Sequence, residues 1–134
     1  MGLDNGFRVK SEKRKIERED LPEGINYPFK EDYDDAPEIV YWRKCWGLRD
    51  MVLSILEKEK EKYIYEIDTT SQIIDIMRGI IEFMNEETWE ETGHSIWTYQ
   101  EIRERLADDL VNFSLMIGYM KNNPDVYLEF YDSY

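Results

Sequence analysis

A chain of 134 residues and 16.3 kDa has the length of one domain and, by size scaling, buries about 68% of its unfolded surface, so it can build a core without disulfides. Its 30 acidic residues against 17 basic ones, a formal net charge of −13, argue against direct binding of nucleic acid or an anionic membrane. One cysteine excludes an internal disulfide and a cysteine-rich zinc site, no apolar run approaches the ~18 residues of a membrane span, and the first ten residues lack a secretory signal's apolar stretch; the expectation is a soluble, cytoplasmic protein without a cofactor.

Residues 1–35 hold seven bases and ten acids, net −3, and the remaining chain is net −10, so the negative field belongs to the folded body. Lys10, Lys13, Arg14, Lys15 and Arg18 form a basic block that an acidic stretch ending at Asp34 and Asp35 follows. Pro22, Gly24, Pro28 and Pro37 interrupt any long periodicity. Residues 1–35 therefore read as a partly mobile N-terminal arm: mobile over 1–20, with a marginal turn of helix, then an extended wrap anchored by Tyr27, Phe29 and Tyr33. The basic block is expected to fold back on the chain's own acidic surface, and deletion of residues 1–20 is expected to leave the fold intact. The alternative is that the block reaches a second, acidic partner.

Residues 36–134 read as a single helical domain. A first helix is expected from Ala36 to Lys62, with Pro37 at its first position and Tyr41, Cys45, Leu48, Val52 and Ile55 at helical spacing. Trp42, Trp46, Leu53 and Leu56 widen that stripe enough for two interfaces. The alternating charges of 57–62 read as its solvated end. Tyr63–Ile67, β-branched and aromatic, predicts a strand. Thr69 with Gln72 has capping-box spacing and opens a second helix that carries Ile73, Met77, Ile80, Ile81 and Met84 and ends near Glu87. Residues 88–97 read as an aromatic-anchored loop. Thr98 with Glu101 caps a third helix with Tyr99, Ile102, Leu106, Leu110, Phe113, Ile117 and Met120 on one stripe, stopped by Asn122-Asn123-Pro124. Val126–Tyr131 alternates as a terminal strand and pairs with Tyr63–Ile67. The expected fold is mostly α with a small β ribbon (α+β): three amphipathic helices packed with a two-stranded sheet.

Catalytic chemistry finds little support. The seven glycines are scattered and make no phosphate loop. Cys45 sits in an apolar stripe, where a thiol is raised in pKa and inert. Glu91-Thr92-Gly93-His94 has Glu-x-x-His spacing, but a di-iron bundle needs two such pairs and this chain has one histidine. The protein reads as a non-enzyme, with a small metal-dependent enzyme using Glu87, Glu91 and His94 as the third-ranked class.

Binding chemistry finds more. Glu82, Glu86, Glu87, Glu90 and Glu91 cluster ahead of the loop, and Glu101, Glu104, Asp108 and Asp109 follow on the third helix. Glu101, Glu104 and Asp108 recur at three and four, which places them on one face about 5–6 Å apart. That density can imitate the phosphate ladder of a nucleic-acid strand, whose charges fall every ~3.4 Å; the plain alternative is an ordinary solvated helix face. Tyr127, Tyr131 and Tyr134 offer an aromatic edge of the kind that anchors protein interfaces.

Tyr41-Trp42-Arg43-Lys44, followed by an apolar helix, a Tyr-rich strand and a Thr-capped helix over residues 38–84, resembles small phage and prophage proteins that carry a Y-W-R-K run. This chain departs from them at Cys45-Trp46-Gly47-Leu48, where an Ile-His-Asn-like stretch is expected. The resemblance implies a mobile-element origin, carries no activity and transfers no functional residue. By analogy of class, small acidic phage proteins block host machinery, anti-CRISPR proteins among them. The leading expectation is thus a non-enzymatic inhibitor that binds a host protein with a basic surface, such as a nucleic-acid-handling defence enzyme, by phosphate mimicry in the host cytoplasm. A homodimeric structural or assembly accessory protein of a phage is the alternative.

Overall fold

Residues 2–32, 36–56 and 63–134 are described by the computed structural model. Tyr33, Asp34 and Asp35 of the expected wrap, and the charged run 57–62, lie outside the described residues. The rest corrects the expected architecture. Among the described residues, four helices cover a four-stranded antiparallel sheet of order β2-β1-β4-β3, in place of three helices on a two-stranded ribbon.

The first of the additional strands is β1, Asp4–Ser11, which occupies the stretch read as an arm. Its residues alternate as a half-buried strand requires: Asn5, Phe7 and Val9 are buried, and Asp4, Arg8 and Lys10 lie on the other face. β1 sits between β2 (Glu38–Arg43) and β4 (Val126–Ser133), with Asn5 opposite both Trp42 and Asp132. The second is β2 itself, which replaces the opening of the expected first helix. Glu38-Ile39-Val40-Tyr41-Trp42 is β-branched and aromatic, and an irregularity of register between Phe7 and Arg8 lets Ile39 and Val40 both be buried. Lys44 then turns the chain in the left-handed region, φ 50, where its amide donates to the Leu3 carbonyl at 2.7 Å. α1 begins only after that turn, Trp46–Leu56. The Tyr41–Ile55 stripe was therefore two elements in series, and Trp42 and Leu53 are core residues that serve no outer interface.

β3, Ile64–Ile67, pairs antiparallel with β4 as expected, with Tyr65 opposite Phe130. Thr69 caps α2, Thr70–Phe83, by accepting from the Gln72 amide. α2 stops at Phe83 and its inward face is Ile73, Ile76, Ile80 and Phe83; Ile81, expected inside, is 56% exposed. Asn85 then caps a further helix, α3, Glu86–Thr92, in what read as loop. α4, Tyr99–Asn122, opens on the expected Thr98–Glu101 capping box. Its buried positions are Ile102, Leu106, Asp109, Asn112, Phe113, Met116 and Met120; Asp109 falls three after Leu106 and four before Phe113, so it occupies a core position.

The core lies between the sheet's inner face and the helices. Phe7 is its centre, meeting Trp42, Phe113 and Phe130 with ring centroids 4.9–5.5 Å apart. Gly47 lets α1 touch the end of α3, its amide donating to the Gly93 carbonyl at 2.9 Å, where a side chain would strike the Thr92 carbonyl.

The basic block is fastened to this body by specific pairs. Lys10 Nζ lies 3.2 Å from Glu129. Arg14 donates to Asp125 at 3.0 Å and to Asn123 at 3.1 Å. Arg18 donates to Asp32 and to the Phe29 carbonyl, each at 2.8 Å. The chain's own acids thus hold these cations, but none of the acids belongs to α3 or to the exposed side of α4. Ile16 and Leu21 are buried as part of the core.

Candidate functional site

The acidic cluster is built on two caps. Asn85 Oδ1 accepts from the Thr88 amide at 3.1 Å, and Glu86 and Glu87 then sit in the first turn of α3, where the helix dipole favours negative charge. Trp89 pins α3 to the body: its ring meets Phe83 edge-on at 5.9 Å, and its indole N–H donates to the Trp97 carbonyl at 2.8 Å. α4 packs beside α3. Glu86, Glu87, Glu90, Glu91, Glu101, Glu104 and Asp108 are all exposed, and among the described residues none is ion-paired with a base. Glu101 has a second task, since one carboxylate oxygen accepts from the Thr98 amide at 3.1 Å. Arg103 and Arg105 interrupt the acids in sequence; Arg103 is exposed, and Arg105 is turned onto the Trp97 ring, 4.6 Å from its centroid.

The three tyrosines expected beside these acids are elsewhere. Tyr127 and Tyr131 belong to the outer face of the sheet, opposite Lys10 and Gly6. Tyr134 is 50% exposed, with the Arg49 guanidinium 4.9 Å over its ring. The structure therefore divides the ten candidate residues among three places, the acids on α3 and α4, Tyr127 and Tyr131 on the outer sheet face and Tyr134 beside Arg49 of α1, and does not bring them together.

The outer face of the sheet holds its own charged cluster, which sequence reading did not find. Arg8 lies 3.6 Å from Glu129 and 4.0 Å from Glu38, both carboxylates being nearly sealed from solvent, and its guanidinium stacks 4.2 Å over Tyr131. A side chain at Gly6 would collide with the Tyr131 hydroxyl and Glu38, so glycine makes room for that pair. Burial, then the Glu38 hydrogen bond, holds the Tyr131 hydroxyl protonated far above its ordinary range. Beside it, a cleft of about 450 Å³ is lined by Asp4, Phe29, Tyr41 and Ser133 as well. With two bases set against two buried acids the cluster is balanced, and it reads as the sheet's polar fastening.

A second feature missed from sequence lies at the edge of the acidic surface. The Trp42 indole donates to Asp109 Oδ2 at 2.9 Å, and Asp109 lines a cleft of about 180 Å³ with Asn26, Tyr27, Pro28, Ile39, Tyr41, Arg105 and Asp108. Neighbouring Asn112 clamps the strap of residues 26–28 that borders the cleft: its amide accepts from the Asn26 N–H at 2.8 Å and donates to the Asn26 carbonyl, and to the Ile39 carbonyl of β2, at 2.9 and 2.7 Å. The available signal was two polar residues, Asp109 and Asn112, on the buried side of a strongly periodic helix.

Burial pushes the Asp109 carboxyl up to about 7, against the opposing pull of the Trp42 hydrogen bond and Arg105 and with a smaller push from Asp108. The folded state thus holds this proton more tightly than the unfolded one. The resulting stabilisation is complete below the ordinary aspartate range, near pH 4, and is lost as pH rises through about 7. Asp109→Asn keeps an acceptor for the indole and removes the titration. We expect it to be more stable than the parent by about 1–3 kcal/mol at pH 8, with the gap shrinking as pH approaches 4. Urea unfolding of both proteins at pH 4 and pH 8 measures this; a gap that does not change with pH refutes it.

Cys45 is fully buried, shares a 3.3 Å hydrogen bond with Ser95, and is pushed up to about 11 by burial, so its thiol stays protonated. His94 is exposed just past α3, in a left-handed conformation at φ 46. Among the described residues no three His, Cys, Asp or Glu side chains converge to hold a metal ion, Glu87, Glu91 and His94 included. No helix is long and apolar enough to cross a membrane among the same residues. Comparison with known proteins finds no family model, no curated protein and no solved structure that matches this chain.

Proposed function

We propose that the exposed acids of α3 and α4 form a docking surface for the basic face of a host protein. In this reading the chain is a non-enzymatic, phage-type inhibitor that occupies a nucleic-acid groove by phosphate mimicry in the host cytoplasm. One observation carries the reading: seven carboxylates on two adjacent helices are exposed, and none is neutralised by a base among the described residues. Of the two bases that fall among these acids, Arg105 is drawn onto Trp97 and Arg103 is exposed without an ion pair to any of the seven. Electrostatic docking of this kind gives fast, salt-sensitive association. The triple reversal Glu101→Lys, Glu104→Lys, Asp108→Lys is expected to weaken partner capture from host lysate at least tenfold. Duplex DNA and raised salt are expected to compete with capture by the parent protein. Capture that survives the reversal unchanged refutes mimicry.

The homodimer reading has support of its own in Ile74 and Ile81, which project from α2 seven residues apart and are exposed, as are Tyr63 and Ile64 at the edge strand β3. Sedimentation at micromolar concentration tests it, and a strict monomer ends it.

A further inference from the structure

We propose that the Asp109 cleft is a seat for the ammonium end of a basic side chain presented by the partner that docks on the acidic surface; the inference rests on that reading and specifies what the surface grips. Asp108 belongs to both places: it is one of the exposed acids of α4 and it lines the cleft. Deeper in, Asp109 is only 7% exposed. The Trp42 indole holds one of its oxygens, and Oδ1 has no hydrogen-bond partner among the described residues. Tyr27, Pro28, Ile39 and Tyr41 supply the walls. A carboxylate floor under aromatic and aliphatic walls suits a cation on an alkyl stem, which hydrogen-bonds at its head and covers apolar surface along its length. The volume of about 180 Å³ accommodates the four-carbon end of a lysine. Two neighbouring carboxylates repel an anion. A bound metal ion would need more oxygen ligands than these two carboxylates supply.

The groups that face Asp109 are few. α4 contributes Arg105 and Asp108, β2 contributes Trp42 and Tyr41, the strap contributes Tyr27, and Cys45 lies near enough to feel its charge. Arg105 is the chain's own competitor for the seat: it lines the cleft and its charge reaches Asp109, while its guanidinium stacks on the Trp97 ring and makes no ion pair with that carboxylate. A cation binds the ionised carboxyl and not the neutral one, so occupancy and proton release are linked. With the carboxyl near 7, affinity for the amine rises about tenfold between pH 6 and pH 8.

The test uses the full chain labelled with nitrogen-15 and needs no partner. The Trp42 indole N–H resonance is followed from pH 5 to pH 9 in butylammonium chloride and in sodium chloride of equal concentration. Butylammonium is expected to lower the titration midpoint by about 0.3 when its concentration equals its dissociation constant, and Asp109→Asn is expected to abolish both the titration and the response. Tetramethylammonium, which has no N–H to donate, is expected to leave the midpoint at its sodium value. Equal midpoints in butylammonium and sodium overturn the seat, and so does an equal shift by tetramethylammonium. A butylammonium shift in a protein whose partner capture ignores the triple reversal upholds the seat and overturns the docking reading alone. Reversal-sensitive capture without the shift does the opposite.

Discussion

Removal of residues 1–11 should abolish cooperative unfolding and collapse the amide dispersion of the NMR spectrum. β1 is an interior strand, hydrogen-bonded to β2 on one side and β4 on the other. Its loss strips β2 of the strand that joins it to the sheet, and removes Leu3, Phe7 and Val9 from the core together. Phe7 alone contacts three aromatic rings, and truncation of such a residue to alanine costs about 3–5 kcal/mol. A domain of this size has about 5–15 kcal/mol in all, so losing the whole strand exceeds it. This reverses the expectation drawn from charge and punctuation, in which deletion of 1–20 was harmless. A truncated protein that still unfolds in one sharp transition would show that β1 is dispensable.

The second large effect concerns a nearly enclosed ion pair that ties α1 to the sheet. Arg49 donates through Nε and Nη2 to the two oxygens of Asp132, at 2.7 and 2.9 Å, and Asn5 donates to the same carboxylate at 2.8 Å. Asp132 is completely buried and Arg49 nearly so. Bringing both charges out of water is costly, and the bidentate geometry is what offsets that cost. Arg49→Met leaves the carboxylate buried with Asn5 as its remaining side-chain donor, and should destabilise by about 3–5 kcal/mol. Asp132→Leu leaves the guanidinium with the half-exposed Asp50 carboxylate, 3.4 Å away, and the Trp46 and Tyr134 rings, and should cost less than Arg49→Met. The double variant should be less damaged than the sum of the two, because neither charge is then left alone. Urea denaturation of the four proteins gives the coupling directly. Strict additivity would mean that the pair contributes packing and not compensation.

What could be read from the sequence was whatever local chemistry decides. The Thr98–Glu101 box and the length of α4 were legible because a cap and a long apolar period name a helix without help from its neighbours. The pairing of β3 with β4 was legible because one run is short, β-branched and aromatic and the other alternates. Residues 38–55 misled because a strand and a helix follow one another with apolar residues that happen to fall at helical spacing. The turn between them is made by Lys44, which carries no turn signal and is held in place by a distant carbonyl. β1 carried a true alternation at Asn5, Phe7 and Val9, hidden by the bases beside it. At the candidate site, the charge of Glu86–Glu91 and of Glu101–Asp108 was visible as composition. Asp109 was grouped with those exposed acids, although its spacing with Leu106 and Phe113 marks a core position; only the strap and Trp42 show what a carboxylate does there.

The pairing of β1 with β4 joins residues 4–11 to residues 126–133, and this sets the order in which the protein can be made. During synthesis the interior strand emerges first and must wait for the partner that emerges more than a hundred residues later. Closing a loop of that length costs about 4 kcal/mol in chain entropy before any contact repays it. Until then one edge of β1, with Phe7 and Val9 beside it, has no neighbour, which is the condition under which nascent sheets find the wrong one. Between the synthesis of β1 and that of β4 the nascent chain therefore holds an incomplete sheet, and its yield in a cell will follow the speed at which residues 126–133 arrive and the supply of chaperones that cover β1 in the meantime.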